Sequence, residues 1–358
     1  AALIAQHFLQ DILRVARSRQ DAYTLTAIEL IASINRQGLV HPKECAGVLV
    51  SLETSTVPAI ARIAYDTHKM LHLQYESMFE REYMRAIYEA FVYQRDVVGD
   101  SSGATARPYT AKLAPLFDII KLSNSKYQKK FLANLCAKVN FELRDLDVSG
   151  SPPEHLLLAR FVSQNLAFFE YAQIAELLPT IACMERIVSS TGSMVAHAIE
   201  TEVFFAKLPL DAANDSGQVP SMMPENTGVP HAVDPKLLRQ LATAAAILSM
   251  LWEARSHLRR LYGINAQYQG KLSAKDLNRP ATKVQGITGD RFWEAVSRNM
   301  TCLDSEASMR EKCREFTNLL SIDEEFKIPE EDDLVLDAPD DVPEDDAASV
   351  DGSKPLKR

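Results

Sequence analysis

The residues in this chain best placed for chemistry are cations. From Lys121 to Arg144 there are six basic residues, Lys121, Lys126, Lys129, Lys130, Lys138 and Arg144, against a single acid, Glu142. Lys126, Lys129 and Lys130 fall at helical spacing on one face, while Phe131, Leu135 and Val139 mark another that can pack inward. A denser cluster runs from Arg255 to Lys283, with Arg255, Arg259, Arg260, Lys271, Lys275, Arg279 and Lys283 opposed only by Asp276, and with Tyr262 and Tyr268 interleaved. Such clusters neutralise phosphates, and each contact releases counterions, which gives sequence-independent affinity that falls steeply with salt. The candidate phosphate-binding set is Lys126, Lys129, Lys130, Arg259, Arg260, Lys271, Lys275 and Arg279. A solvated helix face, or pairing with carboxylates on neighbouring repeats, accounts for the same residues equally well at this level. No recognition helix or zinc-finger spacing is present, so base-specific readout is not expected.

Other chemistry has little support. The G-x-x-x-x-G-K-[ST], H-E-x-x-H and G-x-S-x-G patterns are missing, so no enzyme and no cofactor are expected. His68 and His72 stand four apart, with Glu76 continuing the face, in the manner of metal ligands. Without a third ligand cluster they are read as polar spacers on an amphipathic helix, and no metal is expected. Cys45, Cys136, Cys183, Cys302 and Cys313 are odd in number and widely spaced, which favours core packing in a reducing compartment over disulfides, zinc binding or nucleophilic catalysis.

The elements that must position these residues are helices. Hydrophobic residues form 46% of the 358 residues and charged ones 24%, with only 13 glycines, so most of the chain should fold around a core. Apolar residues recur at helical spacing, as in Leu25, Ile28, Ile31 and Ala32, or Leu237, Leu241, Ala245 and Leu248. No convincing strand is found. Helices are expected near 1–17, 21–36, 42–53, 56–75, 77–97, 110–122, 125–144, 153–170, 172–190, 193–207, 234–262, 290–300 and 304–320. Pairs of this size repeating about every 40 residues predict an all-α, HEAT-type α-solenoid. A globular helical bundle would give similar local patterns.

The expected organisation is helical repeats over 1–208, a flexible Pro-rich loop over 209–233, C-terminal repeats with a basic strap over 234–328, and a disordered acidic tail over 329–358. Residues 97–108 read as a second mobile Gly/Ser-rich loop. The tail holds 11 of the 48 acidic residues and 3 of the 39 basic ones, so the rest of the chain is close to neutral despite a net charge of −9. The first residues begin inside an apolar helical pattern without a cap, which reads as a cut from a longer chain. That stretch is too short and too charged to span a membrane, so a soluble intracellular chain is expected.

Three stretches resemble the Nipped-B or adherin family, the large subunit of the cohesin loader. They are Gly38-Leu-Val-His-Pro-Lys-Glu-Cys45 with Val48-Leu-Val-Ser-Leu-Glu-Thr54, then Asn124-Ser-Lys-Tyr-Gln-Lys-Lys-Phe-Leu-Ala-Asn-Leu135, then Leu258-Arg-Arg-Leu-Tyr-Gly263 leading into Lys271 and Asn278-Arg279. They keep the family's order, and the resemblance covers roughly residues 10 to 325. The strap departs at Leu272-Ser273-Ala274, where animal relatives carry a Ser-Pro step, and the 209–233 loop is more similar to fungal relatives. The resemblance implies a superhelical, hook-like HEAT-type solenoid in a nuclear, chromatin-associated protein that helps load cohesin for sister chromatid cohesion. It implies contacts with double-stranded DNA, the cohesin SMC ATPase heads and the kleisin, and stimulation of cohesin's ATPase without one of its own. The small loader subunit is implied to bind an N-terminal region absent here. The other open reading is a protein-interaction solenoid, a scaffold or transport receptor whose cations bind acidic peptides.

Overall fold

The computed structural model describes residues 2–204, 233–264 and 277–323. The expected loop over 209–233, apart from residue 233, and the expected acidic tail lie outside the described residues, as do Lys271 and Lys275.

The chain is an all-α solenoid. Helices α1 (Ala2–Ser18) and α2 (Ala22–Arg36) form its first antiparallel pair, and Asp21 starts α2 by accepting the backbone N–H groups of Tyr23 and Thr24. Gly38, at φ +64°, closes α2 in a left-handed conformation that a side chain would strain. A 3₁₀ turn at Pro42–Cys45 leads into α3 (Ala46–Glu53), which is buried along its whole length between α4 (Pro58–Gln74) and α5 (Glu76–Tyr93). This explains why α3 is apolar all round rather than amphipathic.

Two expectations fail between α5 and the next helix. A short hairpin of β1 (Ala104–Thr105) and β2 (Thr110–Ala111) occurs where no strand was predicted. The stretch 97–108, expected to be mobile, is in part pinned to α8 (Glu154–Phe168). The Gly103 N–H donates to the Gln164 side chain at 2.8 Å, and Asn165 accepts the N–H of Leu113 at the same distance. A Cβ on Gly103 would lie 1.9 Å from the Phe161 carbonyl oxygen, so only glycine permits this approach. Composition marks the segment as a loop, but the buried amides that hold it lie about 60 residues away and leave no local signal.

Helices α6 (Ala114–Ile120) and α7 (Ser125–Ala137) follow, then α8 and α9 (Ile174–Ile199). The sequence suggests a break near residue 191, yet α9 runs through it. Ser190 and Ser193 return their hydroxyls to the carbonyls four residues back, and Gly192 leaves room for Phe316 and Leu320. Helix α10 (Pro235–Leu261), capped by Asp234, packs against both α8 and α9. It also packs against α11 (Asp290–Met300) and α12 (Glu306–Asp323), and α12 touches α9 as well. The core is continuous from Leu9 to Phe316, so each repeat is buried by the next. No helix among the described residues is long and apolar enough to cross a membrane.

Candidate polyanion-binding groove

Helix α7 is set by its cap. The Asn124 side chain accepts the Tyr127 N–H at 2.9 Å, which fixes the first turn and with it the direction of the lysines. Phe131, Leu132, Leu135 and Cys136 bury the opposite face. Lys126 and Lys130 are exposed, Lys129 is half-buried, and all three line an open groove of about 550 Å³ between α7 and α9. Across it α9 contributes Ala182, Cys183 and Arg186. Neither Lys126 nor Lys130 has a described carboxylate within ion-pairing distance; the nearby Glu80 is raised above the usual carboxylate range by burial and by Glu76, with Lys130 opposing the rise.

Arg186 is the member of this groove that sequence reading missed. Its signal was present, since Pro179, Ala182 and Arg186 recur at helical spacing, but nothing local says which helix they face.

The second basic cluster is arranged differently. Arg255 is only 3% exposed and its Nε donates to Glu185 Oε1 at 2.8 Å, while Arg259 Nη1 reaches the same oxygen at 3.3 Å. Arg260 is half-buried, and burial, with Arg291 beside it, lowers its pKa below the usual guanidinium range. Lys283 pairs with Glu170 at 2.5 Å. The exposed Arg279 uses its carbonyl to accept the Ile174 N–H, stitching the strap to the start of α9. The structure thus brings Lys126, Lys129 and Lys130 together and turns Arg259 towards α9.

Residues 1–187 match the family described as the sister chromatid cohesion C-terminus. The chain belongs to that family. Among its relatives, the sister chromatid cohesion protein Mis4 of Schizosaccharomyces pombe is 25% identical over 202 residues, covering 54% of this chain and 12% of the relative. The Nipped-B protein of Drosophila melanogaster is 22% identical over 273 residues, 74% of this chain and 13% of its own length. The C-terminal fragment of the Chaetomium thermophilum cohesin loader SCC2 superimposes with a TM-score of 0.73 at 39% identity, over 90% of this chain and 21% of the other. The chain therefore spans only about an eighth of the length of these curated relatives. The Nipped-B resemblance and the α-solenoid fold read from the sequence are both established by these matches.

In this family member the histidine pair has a structural setting. His68 and His72 are buried on α4, not polar spacers on a surface, and Glu76 lies beyond the helix end on α5. They form part of a hydrogen-bonded chain. Glu53 lies 2.5 Å from His68 Nδ1, Tyr83 Oη sits 2.8 Å from His68 Nε2 and 2.7 Å from His72 Nδ1, and Ser123 Oγ is 3.1 Å from His72 Nε2. Burial, reinforced by His68, holds His72 down at about 4. The chain joins α3, α4 and α5 to the turn before α7, so these residues hold the helix that carries the lysines.

Proposed function

We propose that this chain is the C-terminal solenoid of a cohesin-loading protein, and that the groove between α7 and α9 holds phosphates of double-stranded DNA without reading sequence. The observation that carries this reading is the gathering of Lys126, Lys129, Lys130 and Arg186 around one open groove. Family membership and the likeness to a cohesin loader fragment support the cohesin side. In this reading the solenoid is nuclear and chromatin-associated, contacts the cohesin ATPase heads and kleisin, and stimulates their ATPase without catalysing a reaction itself. Arg260 and Arg279, with Lys271 and Lys275, extend the contact along the strap. Arg259 belongs first to Glu185 and contributes less.

Duplex affinity measured across a salt series tests the groove. Replacing Lys126, Lys129 and Lys130 together with Glu should lower the slope of log K against log salt by about 3, since each phosphate contact contributes about 0.9. An unchanged slope removes DNA from this helix. Preference for acidic peptides over cohesin in a pull-down would favour the protein-interaction solenoid instead.

A further inference from the structure

Helix α12 delivers the chain to the basic groove. The Arg314 guanidinium lies 5.8 Å from the ring of Phe204, which follows α9 in a π-helical turn, whereas Phe316 and Leu320, later on α12, fill the space beside Gly192 on α9. The two helices therefore run antiparallel, and α12 ends at Asp323 heading towards the level of Arg186. Beyond that end, residues 330–346 carry ten acids and no base. We propose that the segment Glu330-Glu-Asp-Asp-Leu-Val-Leu-Asp337 docks in the groove between α7 and α9, and that duplex DNA must displace it.

Reach is ample. From Gly192 back to Arg186 is six residues of helix, about 9 Å, while the seven residues from Asp323 to Glu330 extend up to about 23 Å. Charge is complementary. Lys126, Lys129, Lys130 and Arg186 line the groove, and among the described residues no carboxylate ion-pairs with Lys126, Lys130 or Arg186. The apolar surface matches too. Ala133, Pro179 and Ala182 line the same groove, and in an extended segment Glu330, Asp332, Leu334 and Leu336 fall on one side. Two acids then meet the cations while two leucines cover the apolar wall. A volume of about 550 Å³ suits a few side chains of such a segment rather than a folded partner.

Tethering makes a weak contact effective. A short connection gives an effective concentration in the millimolar range, so a segment whose free peptide binds at about 0.1 mM occupies the groove most of the time. The contact is largely electrostatic and fades as salt shortens the Debye length from about 30 Å at 0.01 M to about 3 Å at 1 M. Segment and duplex claim the same cations, so each lowers the affinity of the other. Weak encounters with single phosphates are thereby suppressed, and a duplex that meets several cations at once displaces the segment. This competition rests on the groove's reading as a phosphate site, whereas the docking itself does not.

A carbodiimide, which joins a carboxylate to an amine in direct contact, tests docking in the whole wild-type chain. At about 0.02 M salt the recovered monomer should carry links from the lysines of α7 to acids of 330–337, and at about 0.5 M it should lose them. Absence of those links, or equal yields at the exposed Lys43 and Lys236 elsewhere on the solenoid, overturns the proposal. So does an undiminished yield after Leu334→Ser with Leu336→Ser, which would mean diffuse attraction without docking. Competition is read from duplex affinity. Glu330→Gln, Glu331→Gln, Asp332→Asn and Asp333→Asn together should tighten binding about tenfold at low salt. Neutralising Asp340, Asp341, Glu344 and Asp345 removes the same charge and should do little, so equal effects from the two sets overturn the competition. Duplex affinity that ignores reversal of the α7 lysines removes the DNA reading alone, and the links, formed without nucleic acid, still decide the docking.

Discussion

The two basic clusters have similar composition and opposite fates. On α7 the lysines stand on the solvent side of a helix anchored by Phe131 and Leu135, and they face an open groove. On α10, Arg255 and Arg259 face α9, where one buried carboxylate, Glu185, takes them together. Charge density along the chain cannot separate these cases, because α10 is sandwiched between other helices and α7 is not covered on its lysine face. The difference also fits side-chain chemistry, since a guanidinium tolerates a buried multi-contact ion pair better than the compact, strongly hydrated ammonium of lysine.

The comparison breaks most readily at Glu185. Replacing it with Gln leaves the buried Arg255 and the nearby Arg259 without that carboxylate and should cost about 3 to 5 kcal/mol in urea unfolding. Removing Lys126 and Lys130 to Ala should change stability by no more than about 0.5 kcal/mol each. Equal losses at the two sites would mean that the lysines are structural as well.

Each region also carries a buried histidine whose pKa is lowered, which sharpens the contrast with pH. His72 supports the turn before α7 and His257 sits on α10 against Phe292, and both are held down at about 4, chiefly by burial. His257 is further lowered by Arg260 and Lys283. Both are neutral in the folded chain, whereas in the unfolded chain they regain the ordinary value near 6.5. Stability from each is therefore complete above about pH 6.5 and is lost as pH falls towards 4, by on the order of 2 kcal/mol at pH 5. Urea midpoints at pH 7 and pH 5 check this, and His257→Phe should reduce the difference by about half. If that variant leaves the acid loss unchanged, the α10 region is not where protonation acts.

A surface pair should matter less than Glu185 or the histidines. Glu154 accepts from Arg95 at 2.7 Å and from Tyr88 at 2.5 Å, but its side chain is 53% exposed. Glu154→Ala should therefore cost about 1 kcal/mol or less in the same unfolding assay. A loss comparable to that of Glu185→Gln would show that exposure does not govern these pairs.

The amino-acid sequence determined a good deal unaided. Asp21, Asn124 and Asp234 stand at the starts of α2, α7 and α10, and the apolar spacing between them declares helices, because caps and amphipathic periods act over a few residues. The family resemblance was legible for a related reason, since ordered landmarks survive in linear order. Only the tertiary structure decided that α9 continues past Gly192, that the 97–108 stretch is held by Gln164, that His68 and His72 are core residues, and that Arg186 joins the lysines. Each of these depends on a partner tens of residues away, and the free energy of a buried polar contact is set by that partner and by the water excluded around it. Neither is written into the local sequence.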